Sequence, residues 1–345
     1  MKFLSRRLQP KAELHCHFEG AAPPSLVARL ARERGIAIDG LIDDQGGYAW
    51  QDFTSFLKAY DQVAALLTRP EDLSNLAYEY ASSIAKEGAV YLEVFGSLAH
   101  AESCGLDYED YVGGIADGFT RAEAEHGIVS RIVMTAVRHL GPEKALHVAK
   151  ATIKADHPMV TGFGMGGDER MGDLADFAPA FDVARDGGLG ITVHAGEFAG
   201  PESVRSALDH IRPSRIGHGV RAIEDPDLVK RLAEEKIVLE VCPASNVSLG
   251  LYPTRAAHPL RKLVEAGVRV TLNSDDPPFF HTTLGAEYKA AKKIDGFSSK
   301  ELVGFTQTAI EAAFLEAPTR IRLVAMAANK KVKSALPTPE LPRNH

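Results

Sequence analysis

The stretch Ile191-Thr192-Val193-His194-Ala195-Gly196-Glu197 ends an apolar, β-branched run in an imidazole and, three residues on, a carboxylate. Such a run reads as a buried strand, bounded upstream by Gly187, Gly188 and Gly190. Imidazole is a common zinc ligand, and a nearby glutamate is placed to move a proton on whatever the metal holds. Three other stretches have the same character. His15 and His17 sit two apart in Ala12-Glu13-Leu14-His15-Cys16-His17-Phe18, so a strand points both imidazoles one way and Cys16 the other. His218 ends Arg215-Ile216-Gly217-His218, and Asp275 with Asp276 follows Val268-Arg269-Val270-Thr271-Leu272. Three histidines and one carboxylate, with a position left for water, suit a catalytic rather than a structural zinc.

Each feature alone carries little weight. The chain has 13 histidines, and most of them, His100, His139 and His258 included, lie outside these stretches. Asp-Asp before Pro277-Pro278 is common in exposed turns. His100-Ala101-Glu102 matches half of another zinc signature whose Pro-Cys-x-x-Cys half is absent, and reads as a solvated loop. The weight comes from four such features at four strand ends.

The elements that must position them alternate regularly. Strands are expected at 12–18, 90–95, 131–137, 160–167, 191–195, 215–220, 238–242 and 268–275, by length and β-branched content. Helices are expected at 26–34, 52–67, 70–86, 108–126, 142–155, 177–185, 201–210, 227–235, 259–266 and 300–329, several opened by proline. Eight strands alternating with helices suit an α/β fold, a (β/α)8 TIM barrel, in which strand C-termini converge on one face where active sites are built. Residues 23–87, inserted after the first strand, would form a helical lid over that mouth. No linker divides the chain, so residues 1–345 are expected as one domain, with a mobile tail over 330–345. Gly162, Gly164, Gly166 and Gly167 lack the spacing of a phosphate loop and are expected to let backbone approach a flat ligand.

Composition excludes several partner classes. Lys and Arg total 39 against 46 Asp and Glu, a net −7, which leaves no basic footprint for nucleic acid or an anionic membrane. The start turns charged too early for a signal peptide, and no run is long and apolar enough to span a bilayer. Cys16, Cys104 and Cys242 make no disulfide framework, so a cytoplasmic setting is expected.

Six segments together resemble the adenosine/adenine deaminase family of metal-dependent amidohydrolases. They are Glu13–Gly20, Gly166–Glu169, His194–Glu197, Gly217–Gly219, Cys242–Asn246 and Asn273–Pro277, in the family's order. The resemblance implies that His15, His17, His194 and Asp275 hold one zinc ion per chain. It implies that Glu197 protonates a purine at N1, that His218 helps deprotonate and orient the attacking water, and that Asp275 is also catalytic. Asp276 would bond the ring N7 and the backbone N–H of Gly167 would bond N3. Such a site converts a small-molecule purine by adding hydroxide at C6 and releasing ammonia.

The substrate divides the readings. Glu197–Ser203 resembles bacterial adenosine deaminases, which implies conversion of adenosine to inosine. Glu19 stands where nucleoside enzymes typically carry an aspartate for the ribose 5′-hydroxyl, and Ser274–Phe280 is also similar to the adenine deaminase branch. Adenosine is the leading expectation, with Glu19 as the ribose contact; adenine or another 6-aminopurine nucleoside is the alternative. A two-metal amidohydrolase would want a bridging lysine on the fourth strand, and Val160–Gly167 has none.

Overall fold

The computed structural model describes residues 8–328; the expected tail over 330–345 lies outside them. Eight strands form one sheet in chain order, every pair parallel: β1 (Lys11–Glu13), β2 (Ala89–Gly96), β3 (Val129–Val137), β4 (Val160–Gly166), β5 (Gly190–Ala195), β6 (Arg215–His218), β7 (Val238–Val241) and β8 (Arg269–Leu272). The sheet meets itself just beyond β1 and β8. Cys16 bridges Asp275, His17 N–H donates to Asp275 O at 2.9 Å, and Asp275 N–H donates to His15 O at 3.1 Å. The seam of this (β/α)8 barrel is thus made by the segments that carry three of the expected ligands. Strands such as Val129–Val137 are buried on both faces, as parallel strands under a helical layer must be.

The helices follow the strands. After β1 come α1 (Pro24–Arg34), α2 (Phe53–Ala64) and α3 (Pro70–Lys86); after β2, α4 (Leu98–Ser103) and α5 (Tyr108–His126); after β3, α6 (Pro142–Ala155); after β4, α7 (Leu174–Asp186). Then come α8 (Pro201–Ser206), α9 (Pro226–Glu234), α10 (Pro243–Ser248), α11 (Leu260–Glu265), α12 (Leu284–Lys293), α13 (Ser299–Ala312) and α14 (Ala317–Ala327). Local chemistry sets their starts. Asp52 and Ser55 form a reciprocal capping box at α2, and the Asp107 and Asp225 carboxylates cap α5 and α9.

Four sequence expectations change. The single helix over 300–329 is two, α13 and α14, with Phe314 between them, and α12 precedes them unforeseen. The segment at His100 is helix α4, not a solvated loop. Of residues 23–87, α3 packs in the outer layer: a Cβ on Gly118 of α5 would overlap Ser74 O of α3, so the two helices lie in close contact. The segment's contribution to the cavity at the strand ends comes from α2, through Phe53, Phe56, Leu57 and Tyr60. Lastly, Gly162 makes room for the chain's own Phe314, not for a ligand; a Cβ there would stand 2.5 Å from the ring, and one on its register partner Gly190 would overlap it. Among the described residues no helix is long and apolar enough to cross a membrane.

Candidate active site

The strand ends bring the expected residues into one cluster. His15 and His17 follow β1, His194 lies on β5, His218 closes β6, and Asp275 follows β8. Asp275 Oδ1 stands 3.4 Å from His15 Nε2 and 3.3 Å from His17 Nε2. The His194 ring centroid is 4.7 Å from that of His15 and 5.2 Å from that of His17. Gly217 permits this crowding, since a Cβ there would lie 2.9 Å from both His15 and His194. His218 (φ 59°) and Asp275 (φ 65°) hold the left-handed backbone conformation, which costs a non-glycine residue roughly 1–2 kcal/mol and here turns each side chain into the cluster.

The buried polar atoms of this cluster suit a cation. His15 Nε2, His194 Nε2 and Asp275 Oδ1 are buried without a hydrogen-bond partner. Unsatisfied buried groups are costly, and three converging acceptors fit a divalent cation. Burial, then the nearby imidazoles, pushes the His194 pKa well below its usual value and keeps the ring neutral, the form that binds metal. His15 Nδ1 lies 2.9 Å from Glu240 on β7, which also accepts from Thr192 Oγ1 at 3.0 Å and Arg215 Nε at 2.5 Å. A carboxylate at Nδ1 directs the Nε2 lone pair into the cluster. Glu240 was not foreseen; the available signal was a lone carboxylate within the apolar run Val238-Leu239-Glu240-Val241.

The loop that carries Glu197, after β5, is held by Glu169 from the loop after β4. The Glu169 carboxylate accepts the backbone N–H of Gly196, of Glu197 (2.9 Å), of Phe198 (2.7 Å) and of Ala199 (2.9 Å). Glu197 Oε2 lies 3.6 Å from His218 Nε2. Burial first, then the charges of Asp275 and Glu169, raises the Glu197 pKa well above the usual carboxylate range. Burial and the adjacent Asp275 do the same for Asp276, whose Oδ1 has no partner. Burial lowers His218 to about 3. Two carboxyl groups with raised pKa values therefore stand beside an imidazole whose pKa is lowered.

A cavity opens onto this cluster. Phe53, Phe56, Leu57 and Tyr60 of α2 wall one side, and His17, Gly167, Glu197, His218, Asp275 and Asp276 line its floor. Residues that sequence reasoning set aside also line it, His100 and His139 among them. The His100 ring bonds Ser97 Oγ at 2.8 Å and Asp61 Oδ1 at 3.0 Å; His139 Nδ1 has no partner. Glu19 does not line the cavity. It is buried behind it, one carboxylate oxygen accepting from Tyr60 at 2.9 Å and the other from Tyr111.

The family model described as adenosine deaminase matches residues 10–330. The chain belongs to the adenosine deaminase family. It is 54% identical over 315 residues to a Sinorhizobium fredii protein named adenine deaminase, covering 91% of this chain and 97% of that one. The crystal structure of adenine deaminase from Arthrobacter aurescens is similar with a TM-score of 0.88 at 29% identity, over 93% of this chain and 98% of that chain. A Burkholderia ambifaria amidohydrolase with bound zinc matches with a TM-score of 0.85 at 28% identity, over 93% and 90% of the two chains. This member of the adenosine deaminase family is a hydrolase that deaminates a small purine.

Proposed function

We propose that the chain is a zinc-dependent deaminase of free adenine, releasing hypoxanthine and ammonia. This replaces adenosine, the leading expectation from the sequence, with its alternative. The observation that carries it is the engagement of both Glu19 oxygens by Tyr60 and Tyr111, which holds Glu19 behind the cavity lining. A nucleoside needs a polar partner for its sugar, and the expected one is spent on the protein's own tyrosines. The unpartnered His139 Nδ1 lines the cavity and is free to bond a ring nitrogen or ring N–H of a free base. The relatives' names support the same reading.

In this reading His15, His17, His194 and Asp275 hold one zinc ion. When bound, the ion supplies a water acidic enough to lose a proton near neutral pH. The protein's own groups do the rest. Glu197, protonated because it is buried, donates to ring N1 as water adds at C6, so negative charge does not build in the ring. His218 orients the attacking water. Asp276 and the Gly167 N–H bind the ring edge, and the aromatic stripe of α2 covers its face as a lid on a single domain. The 6-amino group leaves as ammonia.

Steady-state turnover by the purified protein tests the substrate directly. Adenine is expected to exceed adenosine in kcat/KM by about 10²-fold or more. A preference for adenosine would overturn the reading.

A further inference from the structure

Asn246 of α10 lies between Glu197 and His218, and its neighbours dictate which way its amide points. The backbone N–H of Leu260 donates to His258 Nδ1 at 3.1 Å. A ring nitrogen that accepts carries no proton, so neutral His258 bears its proton on Nε2. Burial keeps that ring neutral, with its pKa lowered to about 3. His258 Nε2 lies 3.1 Å from Asn246 Oδ1, so its N–H meets the amide carbonyl. Turning the amide over would set donor against donor. The amide NH2 therefore faces Glu197 Oε1 at 3.4 Å and His218 Nδ1 at 3.2 Å.

The last link decides the state of His218. Its Nδ1 accepts from Asn246, so its proton sits on Nε2, the nitrogen facing Glu197 at 3.6 Å and Asp275 at 3.9 Å. Asn246 is fully buried and His218 nearly so, which removes the solvent that would let the ring exchange tautomers freely.

We propose that His258 and Asn246 are positioning residues that fix His218 as its Nε2–H tautomer, so that it presents a hydrogen-bond donor to the cavity. His218 then orients and stabilises the attacking oxygen and does not take the proton from water, a departure from the base role expected from the sequence. Asn246 does a second thing in the same position: it aligns the Glu197 carboxyl with the donor it bonds. The catalytic consequence rests on the deaminase reading of Glu197 and His218, whereas the tautomer follows from the hydrogen bonds alone.

Two measurements on the full-length protein test this. In long-range ¹H–¹⁵N spectra of ¹⁵N-histidine-labelled protein, His218 and His258 are both expected as Nε2–H tautomers, assigned by loss of signal in His218→Gln and His258→Gln. An Nδ1–H form of His218 overturns the proposal. In turnover assays His258→Gln, whose amide N–H can still meet Asn246 Oδ1, is expected to keep most of the activity. His258→Leu frees the amide to rotate and is expected to lower kcat by about 10²-fold with KM little changed, the scale of a misaligned acid–base group. Equal kcat for the leucine variant and the unaltered protein overturns the positioning role. Absence of turnover on any aminopurine by the unaltered protein sinks the functional reading instead, and the spectrum still decides the tautomer.

Discussion

Glu197 titrates where its surroundings, not its type, dictate. It must be protonated to act as an acid, and its pKa is raised by burial, with Asp275 and Glu169 adding to it. Turnover is therefore expected to be full below the raised value and to fall as pH climbs through it. Glu197→Gln should lower kcat by about 10²–10⁴-fold and erase that basic limb in a pH–rate profile, while metal content stays level. The same shift has a stability sign. Unfolded Glu197 ionises near 4.5, whereas the folded chain retains the proton. Its contribution to stability is complete below that pH and is lost as pH rises through the folded value. The metal-free glutamine variant is expected to melt above the unaltered metal-free protein at neutral pH. A lower melting temperature would mean that Glu197 is held ionised by a partner.

At the scale of elements, α2 and the loops after β4 and β5 meet over the cavity. Phe53 of α2 lies 4.3 Å, ring to ring, from Phe198, and the Arg170 guanidinium stands 5.4 Å from Phe53 and 5.7 Å from Phe198. Asp168 holds Arg170 in place through two hydrogen bonds of 2.8 Å. An aromatic pair contributes about 0.5–1.5 kcal/mol beyond its buried area. Phe53→Ala is thus expected to raise KM for adenine by roughly 2–10-fold, with the smaller change in kcat, because it loosens the cover rather than the proton donors. Steady-state kinetics with a circular dichroism control would check it; an unchanged KM would separate α2 from substrate binding.

Across the whole molecule, a buried charge network joins the closed end of the barrel to the histidine–aspartate cluster. Arg215 bonds Glu93 at 2.6 Å, Glu240 at 2.5 Å and Ala312 O at 3.0 Å, and its guanidinium stacks 3.6 Å from the Phe314 ring centroid. Glu240 continues to His15. Glu240→Gln sets an amide against the Arg215 donor and is expected to weaken zinc binding by about 10–100-fold in a chelator competition. Affinity equal to that of the unaltered protein would make Glu240 a packing residue only. The glycines opposite Phe314 give a second check. Gly190→Ala forces a methyl into the ring and should cost about 1–3 kcal/mol in denaturant unfolding while leaving kcat nearly unchanged. Neutral stability would show that the α13–α14 junction yields freely.

The amino-acid sequence alone determined the barrel and the histidine–aspartate cluster at its strand ends. Period, β-branched runs and proline starts are local signals, and eight of them in alternation leave few folds open. His15, His17, His194, His218 and Asp275 were legible because each stands at the end of such a run. Only the tertiary structure could decide what these residues touch. Glu19 looked free for a sugar until Tyr60 and Tyr111, 41 and 92 residues away, took its oxygens. Gly162 looked like a ligand cradle until Phe314 filled it. Glu240, Asn246 and His258 gain their roles from partners 225, 28 and 12 residues distant. Hydrogen bonds of that reach leave no periodic trace in a sequence, since only folding brings the partners together.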